Sequence, residues 1–170
     1  MEERATQVEL LEALQGRFTS YAFLSRIYRE EVSLELLRQL MEDGRQMKEA
    51  AGDGEATLQA YLRQWEGADE QKALTDLNAD YAGLFLNVGR KPVPPYESVY
   101  TSPEHLLMQE ARDEVVAVYR QEGLGRSRAL REPEDHIAIE LEFMAHLCQK
   151  AATALEQGDR GACAASLETQ

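Results

Sequence analysis

The sequence predicts an all-α fold, a single-domain helical bundle in two helical halves joined by a proline-rich hinge loop. Three observations predict it. Apolar residues recur at steps of three and four along most of the chain. No stretch of useful length alternates apolar and polar residues as a half-buried strand does. The 170 residues, 44% of them hydrophobic, suffice for one domain with its own core.

The elements follow in order. Val8, Leu11, Leu14, Phe18, Tyr21, Leu24 and Ile27 mark a first helix. Ser33 can cap a second, carrying Leu34, Leu37 and Leu40 and stopped by Asp43-Gly44. Leu58, Tyr61, Leu62 and Trp65 mark a third, closed by Gly67. The fourth runs through Leu74, Leu77, Tyr81, Leu84, Phe85 and Val88. Then Pro92, Pro94 and Pro95 fall within four residues, which removes donors and forces extended backbone, so residues 89–102 read as a loop. Ser102 and Pro103 read as N-cap and first position of the next helix, with Leu107, Ala111, Val115 and Val118, ending at Gly123-Leu124-Gly125. Pro133 suits the first turn of a long helix on which Ile137, Leu141, Met144, Cys148, Ala151 and Leu155 step by four and three. Ile139, Phe143 and Leu147 make a second apolar face, so this helix should be central. The expected organisation is residues 1–88, the hinge 89–102, and residues 103–170. The last helical pattern, from Asp159, ends before completing an apolar face.

Charge and cysteine content narrow the function. With 18 basic and 31 acidic side chains the net charge is −13, which opposes binding to nucleic-acid phosphates and favours a basic partner. Two cysteines, Cys148 and Cys163, make no disulfide framework, and Cys148 reads as a buried free thiol. The acidic N-terminus is no signal peptide, and no apolar run approaches the roughly 20 residues that span a bilayer. A soluble, cytoplasmic protein without membrane insertion is expected.

The stretch EPEDHIAIELEFMAHL, residues 132–147, carries the chemistry. Its carboxylates and His136 sit among large apolar residues. An enzyme is disfavoured: there is no nucleophile elbow, phosphate loop or dinucleotide fingerprint, and no Ser or Cys that spacing links to His136. A metal is disfavoured too. His136 and Glu140 form one i,i+4 pair and Glu142 and His146 another, but the two pairs point apart and no second Glu-x-x-His copy exists. A structural reading suits Asp135, which the helix macrodipole favours in a first turn. It suits Glu140 and Glu142 less, since carboxylates among apolar neighbours need partners. Tyr81, Tyr96, Tyr100 and the arginines of residues 126–131 are candidates. A peptide-binding groove is the remaining reading.

Two segments bear a resemblance. YAGLFLNVGRKPVPPYESVY, residues 81–100, is similar to the Y-x-x-L-F…P-P-Y-x-S-x-Y pattern of the TorD/DmsD family of maturation chaperones. EPEDHIAIELEFM resembles that family's E-x-x-D-H-x-x-x-E-L-x-F-M signature. Order and separation also agree, and the resemblance is close over residues 81–147. It implies an all-helical chaperone with no enzymatic activity. It also implies a molybdoenzyme client held back from export, through its twin-arginine leader, until its cofactor is loaded. Carried onto this chain, the family's positions are Tyr96, Ser98 and Tyr100 in the loop and Asp135, His136 and Glu140 on the helix, together a peptide-binding site. No catalytic residue, metal or cofactor is expected, and no nucleotide motif accompanies the weak guanine-nucleotide binding attributed to family members. The family's usual further helix with His-Leu and Trp does not follow Gln170, so part of a groove wall is expected to be absent. A nitrate-reductase-type assembly chaperone, or another helical peptide-binding module, is the alternative; a small helical enzyme is a distant third. The hinge allows a monomer or a domain-swapped homodimer. If Asp135, His136 and Glu140 edge the groove, Asp135→Ala with His136→Ala should weaken peptide binding while the melting temperature stays within a few degrees.

Overall fold

In the computed structural model the described residues are 2–46, 52–127 and 130–170. They form eight α-helices and no strand; one isolated bridge joins Tyr96 to His136. The chain divides into two compact units, one of residues up to Arg29 with Pro95–Gln170, the other Glu30–Pro94. The first helix thus belongs with the C-terminal elements and not with the helices that follow it.

In the first unit, α1 (Glu2–Arg29) packs along α7 (Ile137–Glu156). Gln7 Nε2 donates to the Leu155 carbonyl at 3.0 Å and Ser25 Oγ to the Ala138 carbonyl at 2.7 Å, so the two run antiparallel. That pairing extends for some five turns, about 26 Å at 1.5 Å per residue. As its two apolar faces predict, α7 is central. Ala138, Phe143, Ala145, Leu147, Cys148, Ala151, Ala154 and Leu155 are all buried on it. The alanines let neighbouring backbones approach, and the larger side chains carry the burial, roughly 1.5–3 kcal/mol for each full-sized one. Leu14, Cys148, Leu155 and Cys163 share one cluster, and both cysteines are buried free thiols. Gly158, at φ +79°, closes α7. Asp159 then caps α8 (Arg160–Glu168) by accepting from the Ala162 N–H at 2.9 Å.

The second unit holds α2 (Leu34–Gln46), α3 (Asp53–Arg63) and α4 (Glu70–Phe85) around Leu37, Met41, Leu62 and Ala73. Ser33 caps α2 as its sequence suggests, accepting from the Leu36 N–H at 3.1 Å. Asp43-Gly44 does not stop α2, which runs through it. A Cβ at Gly44 would lie 3.1 Å from Leu62 Cδ1, so that glycine marks a close approach of α3 and not a helix end. Val88 lies beyond α4 and is 76% exposed. The chain turns back there through Asn87, at φ 57°, and Val93 N–H reaches the Leu84 carbonyl at 2.7 Å.

Three further expectations give way in the first unit. The proline-rich loop contains a short helix, α5 (Glu97–Thr101). Ser102 ends that helix and does not start the next: its Oγ accepts from Leu106 N–H at 3.2 Å within a turn, and His105 and Met108 take positive φ. Helix α6 begins only at Glu110 and runs to Gln121, leaving Leu107 outside it. Pro133 likewise precedes α7 as part of a turn closed by His136 N–H on the Pro133 carbonyl at 3.2 Å. No described helix is long and apolar enough to cross a membrane.

Candidate peptide site at the α5–α7 corner

The six residues singled out in the sequence meet at one corner, where the start of α7 faces α5. Backbone bonds fix the junction. Ile137 N–H donates to the Pro95 carbonyl at 2.9 Å and Glu97 N–H to the Asp135 carbonyl at 3.0 Å. Asp135 is 0% exposed, and its Oδ2 accepts from the Ser98 N–H at 3.0 Å. His136 is the α7 N-cap; its Nδ1 accepts from the Ala138 N–H at 3.0 Å, which fixes the ring tautomer with the proton on Nε2. The Tyr96 ring packs edge-on to the His136 ring at 5.1 Å, and its hydroxyl donates to Glu132 Oε2 at 2.7 Å. Tyr100 stands outward at 57% exposed.

Sequence reasoning placed Asp135 in the first helical turn. It lies instead just before the cap, where its carboxylate serves α5 and not its own helix. Ser98 and Tyr100 are helical and not in a loop. Asp135, Ser98 and His136 are buried, so they hold α5 against α7, while Tyr100 is exposed and Tyr96 and Glu140 are half-buried.

The carboxylates have different fates. Glu142 pairs with Arg29 of α1. Glu134, which is buried, takes Arg112 of α6 at 2.8 Å. Burial is the largest single influence on the Glu134 carboxyl and raises it, but the Arg112 hydrogen bond, a backbone hydrogen bond and the charges of Arg112 and Arg126 together outweigh burial and hold the group below its ordinary range. Glu140 has no such relief. Its buried Oε1 has no partner, and burial, then Glu97, then Asp135, push the carboxyl up to about 7. Burial also lowers His136, against the pull of Glu132. Among the expected partners, Tyr81 lies on α4 against Phe85 at 5.1 Å, and Arg126 donates to the Leu130 carbonyl at 3.3 Å. Arg128 lies outside the described residues. Arg29 and Arg112, the actual partners, went unnoticed because each sits on another helix, and only packing brings them close.

Two cavities flank the corner. One of about 350 Å³ is lined by Glu97, Glu104, Glu110 and Glu114 with Thr101 and Ser102. The other, about 290 Å³, has Tyr119, Ile139, Phe143 and His146 as walls and Glu142 at its edge. A glutamate-lined hollow favours a cation and an aromatic one an apolar group.

Residues 44–170 match the family model described as nitrate reductase delta subunit. The chain is 31% identical over 152 residues to chaperone protein TorD of Shewanella pealeana, covering 83% of this chain and 69% of that protein. It is 31% identical over 157 residues to the TorD of Shewanella oneidensis, covering 87% and 71%. With the TorD of Vibrio cholerae it shares 40% identity over 83 residues, 49% of this chain and 37% of that one. No solved structure matches the chain significantly. With a family model spanning more than half of its length, and the two Shewanella proteins 31% identical over more than two thirds of theirs, the chain belongs to the family of the nitrate reductase delta subunit and the TorD chaperones.

Proposed function

We propose that the chain is a cytoplasmic, system-specific chaperone, not an enzyme. It binds the twin-arginine leader, the apo form, or both, of a molybdopterin oxidoreductase and assists cofactor loading before export. The observation that carries this reading is the α5–α7 corner, where Tyr96, Ser98, Tyr100, Asp135, His136 and Glu140 converge in a chain whose relatives are named TorD chaperones. A leader joins a basic start to an apolar middle. The glutamate-lined hollow suits the first, the Tyr119–Phe143 hollow the second, and a net charge of −13 steers the approach. Apolar burial, at roughly 25 cal/mol per Å², supplies most of the affinity, and the arginines set register and on-rate.

Titrating twin-arginine leaders from the same genome by calorimetry tests this. At least one should bind with micromolar or tighter affinity, about −8 kcal/mol. Failure of every leader against a protein with intact helical circular dichroism would end the reading. The family model's description favours one alternative, a nitrate-reductase-type assembly chaperone. Binding to a peptide from the body of such an enzyme, and to no leader, would select it.

A further inference from the structure

We propose that Glu140 holds a proton in the free chain near neutrality and releases it to solvent when a guanidinium or ammonium group docks at the α5–α7 corner, so that partner binding is linked to proton release. This rests on the peptide-binding reading above and adds to it the chemistry by which the charge is recognised.

The geometry carries it. Glu140 Oε1 is buried without a hydrogen-bond partner, and so are Asp135 Oδ1 and Ser98 Oγ beside it; Asp135 and Ser98 are both 0% exposed. Three orphaned oxygens at one junction are costly unless a donor reaches them. Two arginines of this unit are engaged elsewhere: Arg29 of α1 on Glu142, and Arg112 of α6 on Glu134 and Asp113. What faces Glu140 is Glu97 from α5 and Asp135 from the turn before α7. Tyr119 of α6 also lies within its field, its hydroxyl pushed up by burial and then by Glu140, and His136, held low by burial, caps the same helix. Two like charges and desolvation favour the neutral acid. A proton is one way to satisfy such a site, and a multidentate cation is the other.

The probe is a synthetic peptide with two adjacent arginines followed by an apolar stretch, free of histidine and blocked at its N-terminus. Calorimetry in two buffers of different ionisation enthalpy should show about half a proton released per peptide near pH 7 and nearly one near pH 6, because the group then titrates around 7. Affinity should rise about tenfold between pH 6 and pH 8. In Glu140→Gln both the release and the rise should vanish, with circular dichroism showing the fold retained. Buffer-independent heats, or unchanged proton release in Glu140→Gln, would overturn the inference. If the peptide does not bind at any pH, the functional reading fails by itself. The Glu140 carboxyl carbon followed by nuclear magnetic resonance in the free chain then decides: a midpoint near 7 sustains the bound proton, and one below about 5.5 overturns it.

Discussion

Asp135 gives one carboxylate oxygen to the Ser98 N–H and keeps the other without a partner. Its removal would leave a buried donor unmet, which costs about 1–3 kcal/mol. Asp135→Ala should therefore lower the denaturation midpoint, and Asp135→Asn, which retains an acceptor, should lower it less; chemical unfolding of the pair is the check. His136→Ala forfeits an N-cap and should cost about 1 kcal/mol. The small change in melting temperature expected from the sequence took the pair as the edge of a groove, and the burial of both residues argues for a larger one. The pH dependence has three signs. Glu140 is raised in the fold, so its contribution is full below about 4.5 and is lost as pH rises through about 7. Glu134 is lowered, so its contribution is present above its ordinary value and fades in acid. His136 is also lowered; its contribution is present above about 6.5 and declines below it. Unfolding followed from about pH 4.5 to 8 should thus show Glu140→Gln gaining relative to the parent chain as pH rises.

Among the elements, glycines give contrasting tests. A Cβ at Gly89 would meet the Gly83 carbonyl oxygen at 2.2 Å, backbone against backbone, so Gly89→Ala should destabilise by more than 1 kcal/mol. Gly16 lies inside α1 with nothing near its missing Cβ, so Gly16→Ala should stabilise by about 0.5–1 kcal/mol. Urea unfolding of both variants against the parent measures each. These positions also show what was legible. Periodicity found the long helices, and the cap at Ser33 was legible too, because both signals are local. It misjudged Gly44, Ser102 and Val88, because a close approach, a turn and a chain reversal depend on what lies across from them. The corner itself was legible only through its residue pattern. That Asp135 holds α5, and that Arg29 and Arg112 neutralise Glu142 and Glu134, depends on helices far apart in sequence.

For the whole molecule, the chain crosses between its units after Arg29 and after Pro94. We propose that residues 89–102 act as a hinge, with three prolines stiffening the connector. Exchange there would let α1 of one chain pair with α7 of another and recover the same contacts, so light scattering on concentrated, slowly refolded samples should show dimer beside monomer. A net charge of −13 makes encounter with a basic leader sensitive to salt, and the association rate should fall as ionic strength rises, with a smaller change in dissociation. The central claim is that a leader docks on the α5–α7 corner. Amide chemical-shift mapping of the labelled chain with a bound twin-arginine leader tests it most directly. The shifts should concentrate on residues 96–101 and 135–146, and on Tyr119 between them. Shifts confined to α2, α3 and α4, with this corner silent, would contradict it.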